Sequence, residues 1–276
     1  MTTVVSSPGQ PVIEMRAVAA TAMRDPDRTV VEDVNWSVAP GDYWVLAGLH
    51  GSGKSDFAMM AAGLLSPARG TYHFCGEDMP IFEDARLPTR LRLGLVFDGG
   101  QLLGQLTIAD NIALPLRYHR NLSDPEAADR VQATLELMEL SRWADRTPGA
   151  IGRNWQRRAG LARALMLQPD VLLLDNPLGG LDARHANWWL RFLDQLSAGH
   201  SFFGGKPVTL VATTENLRPW KGHARRFALL KDKQLVVLGG WAELERANEP
   251  VVCEMLAVEL PAGATGADTS TFTRAN

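Results

Sequence analysis

Short stretches near the start of the chain alternate apolar and polar residues, a pattern typical of strands with one buried face. Residues 12–16 and 34–38 show this alternation, and Pro40, Gly41 and Asp42 form a turn signal soon after the second stretch. The pattern predicts a small antiparallel sheet at the N-terminus.

Three unbroken apolar runs predict a second, buried sheet. These runs are residues 43–47, 171–174 and 208–212. Continuous apolar strands are typical of parallel sheets that are covered on both faces. A helix is predicted over residues 56–65, soon after the first run. Strands that alternate with helices indicate an α/β fold with a mainly parallel sheet.

A helical insert is predicted between about residues 105 and 165. Its clearest helix start is Ser123, which is followed three residues later by Glu126 and then by apolar residues at helical spacing. A later helix carries Trp188 and Trp189. Because adjacent helical residues point about 100° apart, one ring is expected in the core and the other is expected to be partly exposed.

Composition and charge limit the classes of protein to which this chain can belong. The chain has 276 residues, of which 46% are hydrophobic, so it is long enough to bury a full core. Its net charge of −3 offers no basic surface, which argues against nucleic acid as a partner. The two cysteines, Cys75 and Cys253, are most simply reduced thiols, although one disulfide between them stays open.

The sequence also predicts a location in the cytoplasm. No apolar run approaches the roughly 20 residues that span a bilayer. The first ten residues lack the basic and then apolar layout of a secretion signal. We therefore expect a cytoplasmic protein, unless a partner holds it at a membrane.

Residues 48–55 contain the main chemical motif, a loop that fits the phosphate-binding pattern G-x-x-x-x-G-K-[ST]. In such a loop the glycines let backbone N–H groups point at phosphate oxygens, the lysine reaches the terminal phosphates and the last hydroxyl binds Mg²⁺. The loop predicts binding of a nucleoside triphosphate with Mg²⁺. Its predicted binding residues are Gly48, His50, Gly51, Ser52, Gly53, Lys54 and Ser55.

Asp175 ends the apolar run of residues 171–174 and is predicted to complete the magnesium site with Ser55. Residues 156–165 precede it, and Leu181 and Asp182 follow it. Together with the phosphate loop, this ordered set resembles the ATP-binding subunits of ABC transporters over roughly residues 12–245. The nucleotide implied by this resemblance is ATP.

The resemblance implies a P-loop fold with a mainly parallel core sheet, an antiparallel β subdomain and a helical subdomain. We expect residues 1–250 to form one nucleotide-binding domain, with the helical subdomain at about residues 105–165. Residues 251–276 are expected to form a mobile C-terminal tail, because they have little large apolar surface to bury.

Within the family, residues 94–103 and 106–116 look like the ATPases of the Mce/Mla lipid-transport systems. This resemblance implies transport of phospholipid or another hydrophobic substrate. The implied partners are an integral membrane permease, a second ATP-binding subunit in a homodimer or heterodimer, and possible Mce-type lipid-shuttle proteins. The implied location is peripheral, on the inner face of the cell membrane.

Two departures from the family pattern predict weak or absent hydrolysis. Asn176 stands where the family has a glutamate, and an amide cannot accept the proton of an attacking water. Thr214 stands where the family has a histidine that contacts the terminal phosphate, so its hydroxyl brings no cation to that phosphate.

The family signature L-S-G-G-x-Q is also altered. Gly152 replaces its serine, and Arg153 and Asn154 replace its two glycines. In the family this segment contacts the nucleotide of the partner subunit, so the two side chains are expected to obstruct the approach. Arg153 could instead act as a cation on the transferring phosphate, although a solvated or salt-bridged arginine is the simpler interpretation.

Asp98 stands where the family has a glutamine, with Gln101 three residues late, and is predicted to lie near the nucleotide. Residues 18–21 offer only small side chains where the family has an adenine-stacking aromatic residue.

Two further hypotheses stay open beside that of an ATP-binding transport subunit with little hydrolysis. One is an active ATPase that uses Asp98 as a substitute base and Arg153 as its phosphate clamp. The other is a scaffold or regulator that contacts no permease.

Overall fold

The computed structural model describes residues 10–120 and 122–257. Its strands are β1 (Ile13–Ala22), β2 (Asp25–Val38), β3 (Tyr43–Ala47), β4 (Arg69–Phe74), β5 (Glu77–Asp78), β6 (Leu93–Val96), β7 (Val171–Leu174), β8 (Thr209–Thr214), β9 (Arg226–Lys231) and β10 (Gln234–Gly239). Its helices are α1 (Lys54–Ala61), α2 (Leu87–Arg90), α3 (Ile108–Arg120), α4 (Asp124–Leu137), α5 (Arg153–Leu165), α6 (Ala183–Ala198), α7 (Trp241–Arg246) and α8 (Pro250–Ala257).

The core sheet has the strand order β10-β9-β3-β8-β7-β6. Every neighbouring pair from β9 to β6 is parallel, and only β10 pairs antiparallel, with β9. The mainly parallel sheet that the apolar runs predict is confirmed. Because the strands are parallel, the carboxyl ends of β3, β7 and β8 meet at one edge, and this edge carries the site.

Apolar side chains on both faces explain why these strands read as unbroken apolar runs. On β3, Tyr43 and Val45 pack into the core with α3 to α6, whereas Trp44 and Leu46 pack on the opposite face against α1 and the N-terminal sheet. Successive strand residues point to opposite faces, so a sheet covered on both sides needs an apolar residue at every position.

The predicted N-terminal antiparallel sheet is confirmed, and it is larger than the prediction. Its strand order is β2-β1-β4-β5. The predicted strands over residues 12–16 and 34–38 are parts of the longer β1 and β2, while β4 and β5 were not predicted. Register shifts along the β1 and β2 pair interrupt the alternation after Met15. The alternation of apolar and polar residues is therefore clear only at the regular ends of these two strands.

The helices over the predicted insert begin at Ile108 and end at Leu165. Glu126 accepts hydrogen bonds from the backbone N–H and the hydroxyl of Ser123, at 2.9 and 2.7 Å, as the sequence of this helix start predicts. The helix predicted over residues 56–65 is instead Lys54–Ala61, so it starts earlier and ends earlier than predicted.

The predicted C-terminal tail needs a correction at its start. Residues Pro250–Ala257 form α8, whose Val252 and Met255 are buried against the core. The backbone N–H of Leu217 donates to the carbonyl of Met255 at 3.3 Å, which fixes the helix further. The rest of the tail, residues 258–276, lies outside the described residues.

Across the described residues, no helix combines the length and the apolar character that crossing a membrane requires. Both cysteines are free thiols, with Cys75 half-buried and Cys253 exposed. Trp189 is fully buried while Trp188 is partly exposed, as the helical spacing predicts.

Candidate nucleotide site

The phosphate loop connects β3 to α1, and two of its glycines are required by close contacts. Gly53 has a φ of +91°, and a Cβ there would lie 2.7 Å from the Cβ of Val30. A Cβ on Gly48 would lie 2.8 Å from the carbonyl oxygen of Leu230. Larger residues would push β2 and β9 away from the loop, so the sequence Gly48 to Ser55 folds this way only with glycine at these positions.

Lys54 is 6% exposed and its ammonium group lies inside the loop. Its Nζ donates to the carbonyl oxygens of Gly48 and Leu49, each at 2.8 Å, and lies 3.4 Å from Oε1 of Glu215. Burial lowers the pKa of Lys54, and the Glu215 carboxylate partly opposes that shift. The ammonium group is therefore held where terminal phosphates would enter, with a carboxylate as its counter-ion.

Asp175 follows β7 and its carboxylate meets two hydroxyl groups. Thr213 donates to its Oδ1 at 2.9 Å, and the Ser55 hydroxyl is a second hydrogen-bond partner. Burial raises the pKa of Asp175, while these hydroxyls and Lys54 lower it. Ser55 and Asp175 therefore lie together, as their proposed role as Mg²⁺ ligands requires.

The loop has the features that a phosphate group needs. The Ser52 hydroxyl oxygen is buried and has no hydrogen-bond partner among the described residues. Gly51 has a φ of +78° and open space around it, so the loop backbone can approach a ligand closely. Together with the Lys54 ammonium group, these donors fit a bound triphosphate. One or two protein oxygens plus phosphate oxygens are a usual Mg²⁺ ligand set.

Asn176 is fixed by the backbone that follows β7. Its N–H donates to the Thr213 hydroxyl oxygen at 2.9 Å, and its φ is +46°. Asparagine tolerates this left-handed conformation better than most residues with a Cβ. The amide side chain lies over Gly179, where an added Cβ would be 2.3 Å from Nδ2 of Asn176. The position next to Asp175 therefore presents an amide.

Thr214 uses its hydroxyl locally. It donates to the carbonyl oxygen of Asn216 at 2.9 Å and is 3% exposed, so this proton is not available to a terminal phosphate. The next residue, Glu215, faces the loop and contacts both Lys54 and Nδ1 of His50, the latter at 3.3 Å. Sequence reasoning assigned no role to Glu215, although its place directly after the altered histidine position was a signal.

Asp98 is bound by an arginine. Nη2 of Arg157 donates to Oδ1 of Asp98 at 2.6 Å, and Nη1 of the same guanidinium donates to the carbonyl oxygen of Gly179 at 2.8 Å. Arg157 is 4% exposed, so this ion pair is partly shielded from water. Asp98 lies near enough to Asp175 to raise the pKa of that residue. Its carboxylate therefore helps to hold α5 to the segment after β6, and the same guanidinium joins α5 to the segment after β7.

One cleft of about 600 Å³, which we call the nucleotide cleft, is lined by six of the fourteen predicted site residues. Its lining includes His50, Asp98, Arg153, Asn154, Asn176, Thr214 and Glu215. Gly152 is exposed and forms the N-terminal cap of α5, so Arg153 and Asn154 begin the helix at the rim of the cleft. Glu254 of α8 also lines the cleft, a position that no sequence pattern predicts.

The comparisons with known proteins agree with this geometry. A family model described as "ABC transporter" matches residues 31–179, which is more than half of the chain. The chain is 33% identical over 226 residues to the probable ribonucleotide transport ATP-binding protein mkl of Mycobacterium leprae (strain TN). That alignment covers 82% of this chain and 63% of the relative, so the chain spans less than two thirds of the relative's length.

A second curated relative is the intermembrane phospholipid transport system ATP-binding protein MlaF of Escherichia coli (strain K12), which is 28% identical over 245 residues, or 88% of each chain. Among solved structures, the dimeric structure of MJ0796, described as a bacterial ABC transporter cassette, matches with a TM-score of 0.70 and 27% identity over 81% of this chain and 96% of that one. A dimeric post-hydrolysis state of the same cassette, bound to ADP and Pi, matches with the same TM-score of 0.70 and 26% identity. The predicted resemblance and fold are confirmed.

Proposed function

The chain belongs to the ABC transporter family, and from that premise we propose that it is an ATP-binding transport subunit that binds Mg-ATP and hydrolyses it weakly or not at all. The observation that carries this proposal is a contrast at the carboxyl edge of the core sheet, where the phosphate loop meets the end of β7. Lys54, Ser55 and Asp175 come together as a triphosphate and magnesium site requires, while an amide occupies position 176.

Binding is supported by groups that have few other uses in the fold. Among the described residues, the buried Ser52 hydroxyl lacks a partner, and the Lys54 ammonium group bonds only loop carbonyls and the half-exposed Glu215. A triphosphate would give each of them an anionic partner. Mg²⁺ would neutralise phosphate charge next to Asp175, which favours the ionised form of that buried carboxylate.

Weak hydrolysis is supported by the groups that a water-activating step would need. Asn176 cannot take a proton from water, and loss of a general base typically costs about 10² to 10⁴ in rate. The Thr214 hydroxyl donates its hydrogen bond to the carbonyl oxygen of Asn216. Arg153 and Asn154 add side chains where the family signature has glycines, and losing one preorganised donor costs about 10² to 10³.

The alternative in which Asp98 replaces the base has less support. A base must be free to accept a proton within reach of the nucleophile, and the Asp98 carboxylate is paired with Arg157 at 2.6 Å. An active enzyme that uses Asp98 would lose turnover in Asp98→Asn, and turnover that persists in that variant would remove the alternative.

The more specific part of the proposal is that the chain serves the membrane transport of a hydrophobic substrate. One relative is named for intermembrane phospholipid transport and another for ribonucleotide transport. The Mla-like residues 94–116 favour the lipid substrate. We propose a peripheral position on the inner face of the cell membrane, under a permease, with a second ATP-binding subunit and Mce-type lipid-shuttle proteins as further partners. Co-purification with a multispanning membrane protein would count against a free scaffold or regulator.

The test compares binding with turnover in the purified chain and in the complex with its permease. Calorimetric titration should show Mg-ATP binding that Lys54→Ala abolishes, with phosphate release far below the about 1 to 10³ per second typical of enzymes. Asn176→Glu should raise phosphate release by about tenfold or more, because it restores a proton acceptor.

Asn176→Gln is the matched control, since it carries the same backbone strain at φ +46° without a carboxylate. Its phosphate release should stay at the wild-type level. Rapid phosphate release by the wild-type complex, abolished in Lys54→Ala, would overturn the claim of weak hydrolysis. Absence of any Mg-ATP binding would overturn the proposal as a whole.

A further inference from the structure

A second cleft lies between the end of α4, the middle of α5 and one face of α6. It has a volume of about 580 Å³, and it shares no lining residue with the nucleotide cleft. We call it the arginine cleft and define it by Glu139, Arg158, Arg184, Trp188, Arg191 and Gln195. Three of these six side chains are cations and one is an anion.

Arg158 forms the floor of the arginine cleft and is 2% exposed. Its guanidinium carbon lies 3.7 Å from the centroid of the Trp188 ring, and its Nη1 donates to Oε2 of Glu139 at 2.9 Å. The Nε of Arg158 is buried without a hydrogen-bond partner among the described residues. The protein thus keeps a buried guanidinium that its own carboxylate only partly satisfies.

Arg184 and Arg191 bring two more positive charges to the same space. They recur with Trp188 at the spacing of one helix face on α6, and both are exposed. In the part of the chain that the structure describes, neither guanidinium has an ion-pair or hydrogen-bond partner. Arg184 also lies close enough to Arg158 to help lower the pKa of that residue, although burial is the larger cause.

The proposed nucleotide function does not use this cluster. Neighbouring helical residues point in different directions, so Arg157 binds Asp98 beside the nucleotide cleft while Arg158 faces the arginine cleft. Keeping three guanidinium groups together has an electrostatic cost that the nearby carboxylates of Glu139 and Asp182 offset only in part. An anionic ligand would remove that cost.

We propose that the arginine cleft binds a ligand that carries two or more phosphate groups. Guanidinium groups match phosphate oxygens with paired hydrogen bonds, and the cleft volume lies within the usual range for small-molecule sites. Phe192 stacks on Trp188 with ring centroids 5.1 Å apart, and Arg158 lies over the same ring. The ring is already covered by these two partners, so charge rather than ring stacking selects the ligand.

The test uses the full chain with Lys54→Ala, which disables the phosphate loop and leaves the arginine cleft intact. Isothermal titration with tripolyphosphate, at low salt and without Mg²⁺, should detect one site. Arg184→Ala with Arg191→Ala should weaken this binding about tenfold or more, because two charge-assisted contacts are lost. Arg69→Ala with Arg225→Ala removes the same charge from exposed positions elsewhere and should change the affinity less than about twofold.

A third variant changes the affinity in the opposite direction. Glu139→Gln removes the carboxylate that competes for Arg158, and it should tighten tripolyphosphate binding several-fold. A folding defect would weaken binding instead, so a gain in this variant cannot come from misfolding. Equal weakening in the two double variants, or no effect of Glu139→Gln, would overturn the proposal.

The phosphate groups could belong to a free molecule or to a lipid headgroup, and a second arm of the experiment distinguishes the two. Vesicles of phosphatidylcholine with and without cardiolipin, whose headgroup carries two phosphate groups, are tested for co-sedimentation with the same variants. If Arg184→Ala with Arg191→Ala loses only the binding of tripolyphosphate, the ligand is a soluble molecule. If the same variant also loses vesicle binding, the ligand is a lipid headgroup. Absence of both kinds of binding in the Lys54→Ala chain would refute the arginine cleft as a phosphate site.

Discussion

Glu215 and Lys54 show how single residues set the properties of the phosphate loop. The two residues are 161 positions apart, and their charged atoms lie 3.4 Å from each other. Lys54 is almost fully buried whereas the Glu215 side chain is 42% exposed, so water screens the pair from one side. An incoming terminal phosphate must take the place of this carboxylate as the partner of Lys54.

Glu215→Gln should therefore strengthen nucleotide binding. Removing an exposed competing charge is worth about 0.2–1 kcal/mol, which corresponds to a dissociation constant for Mg-ATP lower by up to about fivefold. Titration with a fluorescent ATP analogue measures this change. His50→Ala, which removes only the other contact of Glu215, should leave the affinity within about twofold. Weaker binding in Glu215→Gln would mean that the carboxylate holds the loop open for nucleotide rather than competing with it.

At the scale of elements, α5 depends on a close approach between two backbones. A Cβ on Gly160 would lie 2.7 Å from the Cα of Gly100 and 2.9 Å from its carbonyl oxygen. Gly100 itself has a φ of +81°, so both residues of the contact have reason to be glycine. This contact fixes α5, and with it Gly152 to Asn154, against the loop that follows β6.

Gly160→Ala should destabilise the fold despite its better helix propensity. Overpacking costs about 1–3 kcal/mol or more, against about 1 kcal/mol gained from replacing a helical glycine. Urea unfolding should show a lower midpoint with an unchanged slope. Gly104→Ala is the control, because a Cβ there meets nothing within 4 Å, and its stability should stay within about 0.5 kcal/mol of wild type. Equal stability of the two variants would contradict the close contact.

Asp170 joins the starting ends of three parallel strands, at the edge opposite the nucleotide site. It precedes β7 and accepts hydrogen bonds from Arg92 before β6, at 2.5 Å, and from Lys206 before β8, at 2.7 Å. Burial alone would raise the pKa of Asp170, but the hydrogen bonds from Lys206 and Arg92 outweigh burial, and the pKa is lowered. The ionised form thus stabilises the fold.

The contribution of Asp170 should depend on pH in a defined direction. Because the folded-state pKa is lowered, the stabilisation is complete above the ordinary aspartate pKa of about 4 and is lost as the pH falls through the folded-state value. Asp170→Asn should cost about 1–3 kcal/mol in urea unfolding at pH 7, and the difference from wild type should shrink below about pH 4. Asp232→Asn, at an exposed carboxylate, should show no such dependence. A pH-independent difference for Asp170→Asn would rule out an electrostatic origin.

The whole molecule presents Gly152 to Asn154 on an exposed rim, where our proposal places the nucleotide of a partner subunit. Both solved structures of the cassette MJ0796 are described as dimeric. A nucleotide that binds only the closed dimer stabilises the dimer. The stabilisation is about 4 kcal/mol when the ATP concentration is 1,000-fold above the dissociation constant. ATP could in this way hold two subunits together without being split.

Mg-ATP should therefore shift the purified chain from monomer towards dimer in sedimentation velocity experiments. Lys54→Ala should remove this shift, because it removes an ammonium group that the terminal phosphates need. Lys233→Ala, at an exposed lysine that pairs with Glu32 at 3.5 Å, should leave the shift unchanged. A chain that stays monomeric with saturating Mg-ATP would argue against a homodimer and favour a different ATP-binding subunit as the partner.

The sequence by itself determined the class of fold and the phosphate loop. Both depend on short-range patterns, because an unbroken apolar run marks a strand covered on both faces and a glycine-rich spacing marks a phosphate loop. The positions of Asp175 and Asn176 followed from the same logic, since a residue after a buried parallel strand lies at the carboxyl edge of the sheet. Irregular parts of the chain, such as β4, β5 and α8, carry no clear period and were missed or misassigned.

Only the tertiary structure decided which side chains meet. It paired Asp98 with Arg157, turned Glu215 towards Lys54, directed the Thr214 hydroxyl to Asn216 and assembled the arginine cleft from three helices. Periodicity states which face of an element is buried, whereas the partner of a polar side chain depends on how distant elements pack and on which charges remain unpaired. Those pairings are the basis of our proposal that the chain binds a triphosphate and splits it slowly or not at all.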